Sequence, residues 1–322
     1  MTLHLKHKLS VALCTYNGEL YIKQQLESII KQTRSIDEII IYDDNSTDKT
    51  RDIIKEIIKR NTQIKIELYV NENNIGVIRN FERAINKCSG DIIFLSDQDD
   101  IWVNSKVQTI VEHFDNHPNI ELIFTNATII NSHSKTIPNA TLFKVLGFEE
   151  KNQRLWEKGM YIEILSLQNR ITGATIALKK TLIKGNIKFD EDIDALHDEQ
   201  LAIKAINNKS ISFITNPLLS YRIHNNNVCG FGKNWSFKEN NYQHLYKIQH
   251  PYSPKSLYKI LPRYDFQLKR STCIYTLKGR FTLFLSILTY IKLYKNYFLK
   301  FYLYDLFTGL LPYFMNRLKL IK

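Results

Sequence analysis

The chain has 322 residues, 44% of them hydrophobic and 24% charged, with a formal net charge of +12, which is enough apolar material for one large domain or two modest ones. Its four cysteines, Cys14, Cys88, Cys229 and Cys273, follow no CxxC or CxxH spacing; this argues against a disulfide framework or structural zinc and for a reducing compartment. The apolar run Leu9–Cys14 is too short for a signal-peptide core, and no stretch reaches the ~18 apolar residues of a membrane-spanning helix, so the sequence predicts a cytoplasmic protein.

In chain order, Leu9–Cys14 is a short apolar run with strand character. Glu19–Gln32 follows, with Leu20, Leu26, Ile29 and Ile30 on a helical face. Glu38–Tyr42 predicts a second strand ending at Asp43-Asp44-Asn45-Ser46-Thr47-Asp48, and Lys49–Arg60 a helix with Ile53, Ile54, Ile57 and Ile58 on one side. Ile64–Val70 reads as a third strand, Phe81–Lys87 as a helix, and Asp91–Leu95 as a fourth strand stopping at Ser96-Asp97-Gln98-Asp99-Asp100. Strands alternating with helices at this spacing imply an α/β fold with a mainly parallel central sheet covered by helices on both faces. Ile120–Thr125 and Ile171–Leu178 are further strand candidates, and His197–Asn207 a helix. The texture changes near Gly230, which divides the chain into a domain over 1–230 and a segment over 231–322.

Two strands end in acidic clusters, and ligands of open α/β sheets sit beyond the carboxyl ends of strands. Asp97, Asp99 and Asp100, three carboxylates within four positions after an apolar strand, need a positive partner. A divalent cation with oxygen ligands provides one, and Mg²⁺ or Mn²⁺ accepts carboxylates together with phosphate oxygens. At the other cluster Asp43 and Asp44 suit a base or ribose, whereas Ser46, Thr47 or Asp48 suits the cap of the helix that follows, with Asp48 and Thr50 in structural roles. Asp198 has the position of an ordinary acidic residue in a first helical turn, and His224 that of a loop histidine.

The set Val11-Ala-Leu-Cys-Thr-Tyr-Asn-Gly18, Asp43-Asp44, Asn74-Ile-Gly-Val-Ile-Arg-Asn-Phe81, Leu95-Ser-Asp-Gln-Asp-Asp-Ile-Trp102, Thr172-Gly-Ala-Thr175, His197-Asp198 and Tyr221-Arg-Ile-His-Asn-Asn-Asn227 resembles the inverting family-2 glycosyltransferases with the GT-A (Rossmann-like) fold. It is most similar to the rhamnosyltransferase-like branch of bacterial O-antigen and capsule assembly. Asn45 departs from the glycine common there, but asparagine tolerates the left-handed turn. The resemblance implies that Thr15, Tyr16 and Asn17 line a nucleotide pocket, with Asp43 or Asp44 toward base or ribose and Arg79 and Asn80 at the nucleotide end of the donor. It implies that Asp97 and Asp99 form a DxD motif for metal and diphosphate, that His224 is a third metal ligand or a diphosphate contact, and that Asp198 is the catalytic base. Arg222 would help neutralise the diphosphate. The implied partners are a UDP- or dTDP-sugar donor and a lipid-linked glycan acceptor at the inner face of the cytoplasmic membrane, with a homodimer a further expectation.

Residues 229–322 hold 16 of the 44 Lys and Arg but only 3 of the 32 Asp and Glu, and 22 of the 38 aromatics. The charge is therefore segregated, and the acidic clusters elsewhere would repel nucleic acid, so no nucleic-acid partner is expected. Phe281–Ile291 is apolar but only about two thirds of a membrane span, while Lys292, Lys295 and Lys300 recur at helical spacing among Leu293, Phe298 and Phe301. Such basic, aromatic helices favour an anionic membrane surface; a solvated helical subdomain is the plainer reading. Two other classes compete. A sugar nucleotidyltransferase would show a Gly-rich basic phosphate loop, where this chain has Gly18-Glu19. A non-catalytic membrane-binding module leaves Asp97, Asp99 and Asp198 without a purpose.

Overall fold

The computed structural model describes residues 7–165, 169–191, 195–224 and 227. The proposed boundary near Gly230 and the basic, aromatic segment 231–322 lie outside the described residues. One compact unit takes in the described residues on either side of Met160–Leu165; the second is described only over Met160–Leu165.

In the larger unit the order is β1 (Leu9–Thr15), α1 (Ile22–Ile30), β2 (Glu38–Asp43), α2 (Thr50–Arg60), β3 (Lys65–Val70), α3 (Gly76–Lys87), β4 (Ile92–Ser96), β5 (Ile101–Trp102), α4 (Lys106–Asn116), β6 (Leu122–Ile130), β7 (Thr136–Thr141), α5 (Leu142–Val145) and α6 (Glu150–Glu157). The short helix α7 (Tyr161–Leu165) belongs to the second unit; then come β8 (Ile176–Lys179), α8 (His197–Asn207) and β9 (Ile211–Arg222). The strands form one sheet in the order β3-β2-β1-β4-β8-β6-β9-β5, with β7 hydrogen-bonded to β6. β3, β2, β1 and β4 are parallel throughout, whereas β8 runs antiparallel to both β4 and β6.

The parallel half forms because its central strands are apolar on both faces. All seven residues of β1 are buried, as parallel strands covered by helices require. Leu9, Val11 and Leu13 share a cluster with Ile22, Leu26 and Ile29 of α1 and Ile54 of α2. Ala12 points to the opposite face, where α3 packs against β1 and β2 through Phe81, Ala84 and Ile85. Each such side chain contributes roughly 1.5–3 kcal/mol on burial, so two-sided burial fixes the register. That register sets Thr15 opposite Asp43 and Leu13 opposite Ser96. Both acidic clusters therefore leave the sheet at the same end, on either side of β1.

Several boundaries differ from the sequence expectation for physical reasons. α3 starts at Gly76, five residues before the predicted Phe81, because Asp44 on another strand accepts hydrogen bonds from Ile75 N and Gly76 N at 2.8 and 2.9 Å; a cap supplied from a distance leaves no local signature. Ile171–Leu178 divides into a single 3₁₀ turn, Gly173–Thr175, and β8. β9 has no counterpart in the periodicity: it contains Pro217 and exposes its middle, and the β6–β9 register shifts around Asn126, which pairs with Pro217. A proline cannot donate to the ladder, so a bulge forms there. Asn45 adopts φ 64°, the left-handed conformation that asparagine tolerates in a turn.

Candidate active site

The β1 and β2 tips are laced together by side chains. Thr15 Oγ1 donates to Asp43 Oδ2 at 2.8 Å, and Ser46 donates to the same carboxylate through its backbone N at 2.8 Å and its hydroxyl at 2.5 Å. Asn17 (φ 47°) donates from its backbone N to Ser46 Oγ at 2.9 Å and accepts from Thr47 N at 2.8 Å. Asp48, one of the expected caps, accepts from both the N–H and the hydroxyl of Thr50, the first residue of α2, from one position before the N-cap Lys49. Asp44 receives Asn71 Nδ2 at 2.8 Å in addition to the two amides that start α3. The expectation that Asp43 and Asp44 stand open to a base or ribose is corrected here: both are buried and supplied with donors, because a carboxylate at a strand tip is readily reached by the N–H groups of neighbouring turns. They shape the loops that a nucleotide would meet.

Asn80, also buried, accepts from Asn71 and donates to Tyr42 O, both at 2.9 Å. It pins α3 to β2, while Arg79 one residue earlier is partly exposed and paired with Glu82 and Glu191. Tyr16 behaves differently: its side chain is 44% exposed, yet its backbone is held on both sides by the Gln98 amide, which accepts from Tyr16 N at 2.8 Å and donates to Tyr16 O at 2.9 Å. Gly18 makes that approach possible, since a Cβ there would lie 2.2 Å from Gln98 Oε1. The middle residue of Asp97-Gln98-Asp99 thus joins the β4 tip to the β1 loop.

The β4 tip has the opposite electrostatic character. Asp97 is half-buried, and its carboxylate receives no hydrogen bond from any described residue. Its carboxyl is pushed up to about 7, first by burial and then by the charges of Asp99 and Asp198. Asp99 Oδ2 lies 2.7 Å from His224 Nε2 and 3.4 Å from Asn227 Nδ2. Buried Asp100 accepts from Arg222 N at 2.9 Å, while its second oxygen has no partner among the described residues. Burial, followed by the neighbouring Asp99 and Asp97 charges, holds its carboxyl well above the usual range.

Asp198 sits in the first turn of α8. Its carboxylate accepts from Glu199 N at 2.7 Å and Gly173 N at 3.1 Å. Burial raises it to about 7, partly offset by those amides. Its charge acts on Asp97, so the fold brings Asp97, Asp99, His224 and Asp198 into one neighbourhood from β4, α8 and the end of β9. Among the described residues no group of three or more His, Cys, Asp or Glu side chains is gathered as a ready-made metal cage. The expected ligands Asp97, Asp99 and His224 are present as a His224–Asp99 pair with Asp97 beside it. The donor set nevertheless suits Mn²⁺ or Mg²⁺: an undonated carboxylate crowded by two others gains from a cation, and the remaining coordination would come from diphosphate oxygens.

Arg222 requires a correction. Expected at the diphosphate, it is fully buried; Nε donates to Asp99 O at 2.6 Å, Nη1 to Asn131 O and Ser134 Oγ at 3.2 and 2.9 Å, and Nη2 to Gln24 Oε1 at 2.9 Å. Its guanidinium also lies over the Tyr21 ring, 4.5 Å from the centroid. It holds the Asp99 backbone in place and is not open to a ligand.

Three residues at the site escaped sequence reasoning. Gln98 is one. Lys106 is another: it is fully buried, donates to Ala174 O at 3.0 Å, and lies 3.9 Å from the centroid of Trp102. Burial lowers its amine to about 7 against the opposing pull of Asp100 and Asp97. The third, His197, stacks on Phe81 at 4.0 Å, leaves both ring nitrogens unpartnered and is held neutral by burial, its imidazole lowered to about 3. A lysine six residues after an acidic cluster could have been found by asking what balances those charges.

Residues 10–171 match the family described as Glycosyl transferase family 2. The chain is 32% identical over 263 residues to dTDP-rhamnosyl transferase RfbG of Shigella flexneri, which covers 77% of this chain and 83% of that protein. Among solved structures, S. aureus TarS 1-349 in complex with UDP-GlcNAc matches with a TM-score of 0.55 at 21% identity, covering 82% of this chain and 67% of that one. Against the UDP-bound form of the same protein, this chain spans 61% of its length. The mannosyltransferase PcManGT of Pyrobaculum calidifontis, in complex with GDP-Man and Mn²⁺, matches with a TM-score of 0.52 at 16% identity, covering 91% of this chain and 83% of that one. At such identities the two structures speak for the fold.

Proposed function

The chain belongs to glycosyl transferase family 2, and from that membership and the site geometry we propose an inverting, divalent-metal-dependent transfer of a sugar from a UDP- or dTDP-sugar to a hydroxyl of a lipid-linked glycan in bacterial surface polysaccharide synthesis. The fold is GT-A, as the motifs imply. The observation that carries the reading is Asp97: a half-buried carboxylate without hydrogen-bond donors among the described residues, under the charge of Asp99 on one side and Asp198 on the other.

In this mechanism Thr15, Tyr16 and Asn17 line the nucleotide, on loops held by Asp43, Asp44 and Asn80. Arg79 stands at the nucleotide end of the donor, and Asp97, Asp99 and His224 hold the cation. Bound Mn²⁺ or Mg²⁺ supplies positive charge opposite the diphosphate. Asp198 accepts the proton of the acceptor hydroxyl. The new C1–O bond forms as the bond from C1 to the diphosphate oxygen breaks, the nucleoside diphosphate leaves with the electron pair, and a single in-line displacement inverts C1. Arg222 serves by fixing Asp99. The excess of Lys, Arg and aromatic residues over 229–322 supports attachment to the inner membrane face. The RfbG name supports a dTDP-sugar, the TarS complex a UDP-sugar and the PcManGT complex Mn²⁺.

Thermal unfolding of the purified full chain with UDP or dTDP tests the reading. A nucleotide at about 100 times its Kd stabilises by about 2.7 kcal/mol, and the gain should require Mn²⁺ or Mg²⁺. A melting temperature unmoved by either nucleotide in either metal would remove the proposal's support.

A further inference from the structure

Lys106 has no part in the reaction just described, yet a fully buried lysine needs a reason: a desolvated ammonium is costly unless its donors and its charge are both met. Here its one hydrogen bond to a described residue goes to the carbonyl of Ala174, at 3.0 Å. Ala174 is the middle residue of the 3₁₀ turn Gly173–Thr175. The first residue of that turn, Gly173, donates its backbone N–H to Asp198 Oδ2 at 3.1 Å. From the other side the turn rests on His197, whose Nε2 would stand 2.7 Å from a Cβ at position 173. The turn is thus fixed at one residue by Lys106, packed at the next by an imidazole that admits only glycine, and aimed at the Asp198 carboxylate. Lys106 is also close enough to Asp100 and Asp97 for their charges to act on it.

We propose that Lys106 is a positioning residue, holding the Gly173–Thr175 turn, and through it the base Asp198, from the start of α4. The inference rests on the reading of Asp198 as base. Lys106 touches neither donor nor acceptor; its work is to set the direction from which Gly173 N–H meets Asp198, and so the orientation of the free lone pairs toward the acceptor hydroxyl. Displacements near 1 Å at such a point can lower turnover about 100-fold.

The test compares Lys106→Met, which keeps the stem and removes the donor, with Lys106→Gln, which restores a neutral donor, and with Asp198→Asn. Turnover is read as nucleotide release from whichever UDP- or dTDP-sugar of a panel is fastest with wild type, and binding as affinity for UDP and dTDP in Mn²⁺. Lys106→Met is expected to lower kcat about 10- to 100-fold while nucleotide affinity stays within about threefold, and to move the acid limb of the pH profile upward as Asp198 loses the Gly173 N–H. Lys106→Gln should recover part of both. A soluble Lys106→Met protein with wild-type kcat and pH profile overturns the proposal, as does a fall in affinity proportional to that in kcat. If Lys106→Met gives no soluble protein, Gly173→Ala, which presses the same turn against His197, must show the same split; unchanged turnover there overturns it. Wild-type turnover in Asp198→Asn would instead sink the assignment of the base, a different failure.

Discussion

The tips of β2 and β4 look alike in sequence, each a strand running into adjacent aspartates, and the structure makes them opposites. At the β2 tip every carboxylate oxygen of Asp43 and Asp44 accepts at least one hydrogen bond, from Thr15, Ser46, Asn71, Ile75 or Gly76. At the β4 tip the Asp97 carboxylate has no donor and Asp100 leaves one oxygen without a partner among the described residues, and both carboxyls are raised first by burial and then by the charge of Asp99. A donor-filled carboxylate is a structural device; a donor-poor one among like charges is unstable alone and suited to a cation. Two acidic clusters thus separate into a scaffold and a site by counting N–H groups, which sequence spacing does not reveal.

The sharpest way to break that contrast is to remove charge on the reactive side. Asp198→Asn should lower turnover by about 10²–10⁴, the range for loss of a positioned general base, with nucleotide affinity in Mn²⁺ essentially kept. Asp99→Asn should abolish metal-dependent nucleotide binding as well. Titration calorimetry alongside turnover separates the two, and equal loss of binding in both variants would show that base and metal ligand are not distinct roles.

On the scaffold side the expected loss is stability. Asp44→Ala removes a carboxylate that accepts three hydrogen bonds and starts α3. Charge-assisted bonds contribute about 1.5–3 kcal/mol each, not additively, so chemical denaturation should show a loss of about 2–4 kcal/mol. A fully stable Asp44→Ala protein whose only defect was nucleotide binding would reverse the contrast.

A third test uses pH. Asp198 is raised to about 7 by burial, and the base must be deprotonated to accept a proton. Turnover should therefore be level above that value and fall about tenfold per pH unit below it. A profile flat down to pH 5 would mean that Asp198 titrates like an exposed aspartate or is not the base.

The parallel half was legible because its causes are local: apolar strands of five to seven residues, helical faces and strand-end aspartates all lie within the runs that encode them. The start of α3 and the lost openness of Asp44 share one source, whereas Asp43 is filled by Thr15 on the paired strand and by Ser46 three residues on. Asp44 caps a helix encoded 32 residues later, and no spacing rule reaches that far. In the other half β9 went unread because Pro217 and an exposed middle break the alternation that marks a strand. Arg222 reads as an anion contact, yet the loop carbonyls of Asn131 and Ser132 and the Asp99 carbonyl enclose it. Asp97 and Asp99 stood out because three carboxylates within four positions after an apolar strand need a positive partner, and Asp198 only through the family resemblance, its place being that of an ordinary acidic residue in a first helical turn; Lys106 did not, since an isolated lysine is ordinary until its burial is known.

The smallest expected effect sharpens the comparison most cleanly, because Tyr16 belongs to both sides at once. Its backbone is part of the scaffold, held by the Gln98 amide, while its ring is 44% exposed and free of that duty. Tyr16→Ala leaves the backbone bonds intact, so stability should change by no more than about 0.5 kcal/mol, as for surface positions generally. If the ring stacks on the base, UDP or dTDP affinity should fall about tenfold, the low end of the 1–3 kcal/mol found for aromatic–base stacking. Unaltered affinity would leave the ring outside the nucleotide pocket and assign the β1 loop to the scaffold alone; a large loss of stability would show that the exposed ring, not the Gln98 amide, holds the loop.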